Sequence, residues 1–242
     1  MTYCAPDDPS WVLHAKTLEI DPARGEGQAW GAKLRVSGVP VFYLPWVQFP
    51  VDSRRKTGLL FPDIGSDSRG GVDITQPIYF NLAPNYDALY RPRYIQERGL
   101  LHQGQGRWLS ETAGYWEFNG AWIGDDERYQ NANPDVDANR WLFNTQHNGQ
   151  FGSAWRTKIA YTRVSDPEYV RDIENNRLST QRQTALQQLG RVDWLGQNWQ
   201  VRVDVEQFQS LADDIRNDYK KLPQITARWR GTQDWNRVEP IL

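Results

Sequence analysis

Apolar and polar residues alternate along most of this chain with a period of two. Trp199, Val201, Val203 and Val205 oppose Gln200, Arg202, Asp204 and Glu206. Tyr86, Ala88, Tyr90 and Tyr94 oppose Asn85, Asp87, Arg91 and Arg93, and Trp155, Ile159 and Tyr161 oppose Arg156, Lys158 and Thr162. Successive side chains of a strand point to opposite faces, so each run predicts a strand with one apolar and one polar face. About nine such segments follow residue 65, near 72–80, 85–95, 98–109, 112–123, 140–148, 153–163, 183–193, 197–207 and 223–230. Each has the length of a tilted membrane-crossing strand, roughly 9–11 residues. Three further strands are expected near Trp11–Ile20, Gln28–Val36 and Val39–Phe49, with a basic link Asp52-Ser53-Arg54-Arg55-Lys56-Thr57-Gly58 after them. Two regions result, 1–64 and 65–242.

The connections sharpen the picture. Those near 81–84, 110–111, 149–152 and 194–196 are short, whereas 124–139, 164–182 and 208–222 are long and polar. An up-and-down meander puts alternate turns at the same end, so one rim is trimmed and the other decorated. Alternation alone also fits a soluble sandwich with one wet face. Full charges in mid-strand, and strands longer than the usual five or six residues, favour a barrel around a watery lumen.

Composition agrees. Hydrophobic residues make up only 39% of the chain and mean hydropathy is −0.74, yet there are twelve Trp and eleven Tyr. Disordered chains are poor in aromatics, whereas a polar-lumen barrel with aromatic girdles explains both features. No run of about eighteen apolar residues is present, so no transmembrane helix is expected. A net charge of −2 gives no electrostatic footprint for nucleic acid. Single-chain bacterial barrels have even strand numbers, and an open edge in lipid leaves backbone groups unsatisfied. Further strands, and an export signal, are therefore expected outside this sequence.

Catalytic chemistry is not expected, nor is a metal or cofactor. Asp125-Asp126-Glu127 lacks the spacing of a calcium loop, and His14, His102 and His147 are scattered residues expected on polar faces. Trp platforms and carboxylates also suit a secreted β-rich carbohydrate-active enzyme, which would need two carboxylates about 5–10 Å apart. Glu97, Glu111, Glu117 and Glu206 lie on different segments without such a signature. A simple diffusion porin is the other alternative. Cys4 is the only cysteine, either a free thiol or half of a disulfide whose partner lies elsewhere.

Several ordered motifs resemble the LPS-assembly protein family LptD, also called organic solvent tolerance protein. They are Val41-Phe42-Tyr43-Leu44-Pro45, Phe49-Pro50, Arg54-Arg55-Lys56-Thr57-Gly58-Leu59-Leu60-Phe61-Pro62, Gln76-Pro77-Ile78-Tyr79-Phe80-Asn81-Leu82-Ala83-Pro84-Asn85-Tyr86-Asp87-Ala88 and Arg91-Pro92-Arg93-Tyr94. Arg140-Trp141-Leu142-Phe143, Gln146-His147 and Tyr161-Thr162-Arg163-Val164-Ser165-Asp166-Pro167 extend the likeness.

The resemblance implies an all-β chain: the C-terminal part of a periplasmic β-jellyroll, then the first strands of an incomplete antiparallel transmembrane β-barrel. It implies a bacterial outer-membrane location and lipopolysaccharide as cargo. The implied partners are an LptE-like plug lipoprotein in the barrel and an LptA-like periplasmic bridge at the jellyroll. It directs the short odd turns outward and the long even ones toward the periplasm. Pro77 and Pro92 would mark a lateral gate, where each deletes a backbone donor. Val12, Leu18, Ile20, Trp30, Leu34, Val36, Phe42 and Leu44, beside Trp11, are candidates to line a groove for acyl chains, positions that equally suit an ordinary sandwich core. Arg54-Arg55-Lys56 would touch lipid phosphates or form a solvated turn.

Overall fold

Two-faced strands need neighbours along their edges, and the structure supplies them in two antiparallel sheets. The computed structural model describes residues 11–36, 39–52, 54–67, 71–173, 184–212 and 220–231. Two units divide after Gly58.

The first unit is organised by a long central strand, β3 (Glu26–Val36). β1 (Trp11–His14) and β2 (Thr17–Asp21) lie end to end along one of its edges, with Leu13 opposite Leu34 and Leu18 opposite Ala29. β4 (Val39–Pro50) takes the other edge, with Trp46 opposite Trp30. The single strand expected over Trp11–Ile20 is thus interrupted at Ala15-Lys16, where the Lys16 amide reaches the Trp30 carbonyl at 2.9 Å. The turn into β3 is held by Asp21, whose Oδ1 accepts from the amides of Ala23 (3.0 Å) and Arg24 (3.1 Å). The basic link folds back onto this turn. Arg54 donates to the Asp52 carboxylate (2.7 Å) and the Ala23 carbonyl (3.3 Å), while Lys56 reaches the Arg24 carbonyl and pairs with Glu26 at 3.0 Å. The Arg54 guanidinium holds the Asp52 carboxyl below the usual carboxylate range.

The second unit carries the larger sheet of twelve strands. β5 (Gly58–Leu59), β6 (Asp63–Asp67), β7 (Gly71–Thr75) and β8 (Ile78–Ala83) form one edge. From there β9 (Tyr86–Ile95), β10 (Gly99–Ser110), β11 (Gly114–Ile123), β12 (Arg140–Phe151), β13 (Trp155–Val164), β14 (Ala185–Leu195), β15 (Trp199–Ser210) and β16 (Lys221–Trp229) each pair with the next. β9 to β15 run 10–12 residues, well above an ordinary strand. The segments from 85–95 onward match the expected ones, and the first expected segment, 72–80, is broken into β7 and β8 at Gln76-Pro77.

Two short helices sit in the long connections, α1 (Glu127–Ala132) and α2 (Tyr169–Asp172). Asp126 caps α1 by accepting the Tyr129 amide at 3.0 Å, satisfying one orphan donor of the first turn. Tyr169, Val170 and Ile173 of α2 and its end pack on Leu101, Ile123, Leu142 and Val164. A small dry core therefore lies at the long-loop rim, on one face of the sheet. At the opposite rim, Gly114 turns β10 into β11 with φ +70°, and a Cβ there would come within 2.3 Å of the Asn148 carbonyl oxygen. Only glycine satisfies both constraints.

Candidate functional site

Cross-strand register sorts the side chains of the second unit into two faces. Tyr86, Trp108, Trp116, His147 and Ile159 stand directly opposite one another across five strands. A second row, Pro92, His102, Trp122 and Trp141, crosses four strands nearer the long-loop rim. The rows are six residues apart on β10, or roughly 20 Å at strand rise. Between them the same face carries Tyr90 and Phe118 beside the small Ala88 and the open glycines Gly104, Gly106 and Gly120. Large apolar side chains on this face remain exposed, among them Trp122 at 48%, Trp155 at 49% and Trp199 at 48%. Such a continuous apolar patch is abnormal for a surface facing water.

The opposite face is charged and internally paired. Arg107 meets Asp87 at 2.7 Å, Arg191 meets Asp204 at 2.6 Å, Arg202 meets Asp193 at 2.7 Å and Lys221 meets Glu206 at 3.2 Å. Between these pairs Glu117 accepts from Tyr115 (2.7 Å), Gln105 (2.9 Å) and Asn119 (3.0 Å). Glu97 instead pairs with Arg128 at 2.7 Å. Glu97, Glu117 and Glu206 are thus held in three separate pairings. His102 and His147 depart from expectation: both lie on the aromatic face. His147 stacks on Trp116 with ring centroids 3.9 Å apart and spends both ring nitrogens on Tyr115 O and Thr157 Oγ1. His102 stacks on Trp122 and meets the Tyr90 hydroxyl at 2.6 Å. Aromatic neighbours and local partners replace water for both rings.

The edge of this sheet is built differently from its middle. β7 and β8 keep one register along β9, with Thr75 opposite Arg93 and Ile78 opposite Tyr90, so Gln76 faces Pro92 across the break. The Gln76 amide donates to the Pro92 carbonyl at 3.1 Å. A regular antiparallel pair exchanges two such bonds, and Pro92 has no N–H to return the second. One residue on, Pro77 presents its backbone to the outer edge. Its carbonyl accepts from the Leu60 amide at 2.9 Å, and again no proline N–H exists for a return bond. Pro77 and Pro92 therefore remove one donor on each side of the same strand.

A third feature was invisible to spacing. Arg140 is fully buried and meets Asp126 (3.0 Å), Asp166 (2.7 Å) and Asp172 (3.2 Å), three carboxylates drawn from the connections 124–139 and 164–182. Arg98, also buried, meets Asp126 at 2.7 Å. The Arg140 guanidinium lies over the Tyr129 ring at 4.0 Å and the Tyr169 ring at 5.6 Å. Burial, reinforced by the charges of Asp166 and Glu168, raises the Tyr129 phenol above its ordinary value. The connections 124–139 and 164–182 are thereby tied to the first residue of β12.

Known sequences agree with these features. Residues 138–239 match the family model of LptD, LPS transport system D. The "LPS-assembly protein LptD" of Pseudomonas savastanoi pv. phaseolicola is 35% identical over 235 residues, covering 97% of this chain and 25% of that protein. Its namesake in Alkalilimnicola ehrlichii is 39% identical over 230 residues, covering 95% and 29%. The protein of that name in Shewanella sp. strain MR-4 is 32% identical over 238 residues, covering 98% and 30%. Nearly the whole of this chain is similar to proteins of the LptD family. It spans between a quarter and a third of the length of these relatives.

The LptD-like motifs fall on the structural features just described. Gln76-Pro77 is the strand break, Arg91-Pro92-Arg93-Tyr94 faces it, Arg140 opens β12, and Asp166 closes on Arg140. The apolar candidates of the first unit divide between two faces. Leu18 and Ile20 stand opposite Ala29 and Gly27, are more than half exposed, and share one face. Trp30 stands opposite Trp46 on the other, and Ala32, fully buried, is opposite Leu44. Val12 is opposite Arg35. The side chains of Trp11, Leu34, Val36 and Phe42, and all of Cys4, lie outside the described residues. Arg54 and Lys56, a candidate for lipid phosphates, are committed to the Asp21–Glu26 turn.

Proposed function

We propose that this chain supplies the first wall strands of an outer-membrane β-barrel that passes lipopolysaccharide to the cell surface, together with the end of the periplasmic jellyroll that feeds it. One observation carries the reading. A single sheet combines an apolar, aromatic-edged face, a charge-paired face, and an edge at which two prolines delete donors. The apolar face suits hydrocarbon, because every backbone group in mid-sheet is paired within the ladder and only apolar side chains would meet lipid. The charged face suits an aqueous lumen, and it is the surface against which an LptE-like plug lipoprotein would rest.

Pro77 and Pro92 are the lateral gate on this reading. Parting a ladder costs its hydrogen bonds, and each proline has already removed one. The first unit is the last part of the jellyroll, which takes cargo from an LptA-like bridge, and the apolar residues of β1–β4 touch acyl chains in transit. The rim bearing Arg140 faces the periplasm, and the short-turn rim faces outward.

The test is replacement of both prolines by Ala in the protein in its native membrane. The donor at 77 strengthens the outer edge and the donor at 92 strengthens the pairing of β9 with the strand behind that edge, so lipopolysaccharide at the cell surface falls while the amount of barrel stays constant. Unchanged surface lipopolysaccharide in the double variant would overturn the assignment of the gate.

A further inference from the structure

The outer edge of β7 and β8 is not bare along its whole length. β6 pairs with β7 over Asp63–Asp67, Ile64 standing opposite Ile74, and Leu60 stands at Pro77. The linker Leu59–Asp67 thus runs along the lower part of the edge that the gate reading leaves to a closing strand. Its apolar residues Leu59 and Ile64 are 58% and 61% exposed.

How the linker is held at the break is specific. In a regular ladder the Leu60 carbonyl would accept the N–H of residue 77, which is a proline. That carbonyl is instead satisfied by a side chain: Gln76 Nε2 donates to Leu60 O at 2.9 Å and also lies 3.1 Å from Pro77 O. The Gln76 backbone amide meanwhile holds Pro92 O. We propose that Gln76 is a positioning residue that stands in for the missing Pro77 N–H and clamps the linker to the seam edge at the proline break, between its β5 and β6 pairings. Turning the half-buried Gln76 side chain away loosens the linker at this step and leaves the backbone of β7–β9 in register. The clamp thereby sets how much of the first wall strand a closing strand can reach. The role rests on the gate reading above, while the contact itself does not.

Hydrogen exchange resolved to single amides, on the protein in membrane nanodiscs, separates the two. Gln76→Glu keeps the shape and loses the donor. It should raise exchange at Leu60 and over 63–67 by about tenfold, the size expected for one lost hydrogen bond, and leave β9–β15 unchanged. Gln76→Glu combined with Pro77→Ala should exchange like Pro77→Ala alone, because a backbone N–H now serves Leu60 O. Equal exchange in Gln76→Glu and the parent protein, or failure of Pro77→Ala to rescue the double variant, would overturn the clamp. Neither readout involves cargo, so failure of the surface-lipopolysaccharide test would remove the transport reading and leave the clamp standing.

Discussion

Gln76 and Pro92 face each other across the first full-length pairing of the larger sheet, and they share one hydrogen bond where a regular pair has two. The asymmetry follows from composition alone, since a proline cannot donate. It localises the weakest point of the sheet edge to a single step of the ladder. The adjoining Pro77 removes a donor on the strand's other side, so the weakness is shared between two neighbouring interfaces.

Arg140 should matter most for the long-loop rim. Replacing it with Met leaves Asp126, Asp166 and Asp172 together without their central cation, and breaking a buried ion pair in this way costs about 3–5 kcal/mol. Thermal unfolding in detergent should show the loss. Arg140→Lys should recover only part of it, because an ammonium cannot match the bidentate contact to Asp166.

The same rim should respond to alkaline pH. The Tyr129 phenol is raised in the folded state, so the unfolded chain ionises first. Stability from the buried neutral phenol is fully present below its ordinary value near 10 and is lost as pH rises through the raised one. Ultraviolet titration should lose one late-titrating tyrosine in Tyr129→Phe, and protease sensitivity of 124–139 should increase over that same late range.

Gly114→Ala probes the opposite rim. The residue has φ +70° and its Cβ would meet Asn148 O at 2.3 Å, so both the turn and the β12 backbone must shift. A strained residue of this kind costs on the order of 1–3 kcal/mol. A lowered unfolding temperature is expected, whereas Gly104→Ala, open to its surroundings, should leave it nearly unchanged.

Much of the second unit was legible because β-strand alternation is a local property. Val201, Arg202, Val203 and Asp204 announce their faces without reference to anything distant, and turn lengths then order the strands. What escaped was non-local or disguised. β6 (Asp63–Asp67) has almost no apolar alternation and exists because β7 needs a neighbour. The Arg140 cluster joins carboxylates 14, 26 and 32 residues away, and no spacing rule reports which of many charges will meet. Asp125-Asp126-Glu127 read only as a loop cluster without calcium-loop spacing, yet Asp126 is fully buried between two arginines. The histidines misled for a related reason. Their polarity predicts water, but local partners and aromatic stacking let His102 and His147 sit on the apolar face. Pro77 and Pro92 stood out in the sequence, whereas Gln76, which links both, carried no signal of its own.

The central claim is that one face of the larger sheet meets hydrocarbon and the other meets water. Cysteine scanning along Val201, Arg202, Val203, Asp204 and Val205 of β15, in a Cys4→Ser background in native membranes, tests it directly. A water-soluble maleimide should label positions 202 and 204 and spare 201, 203 and 205. Uniform labelling, or labelling of the valine positions alone, would contradict the account.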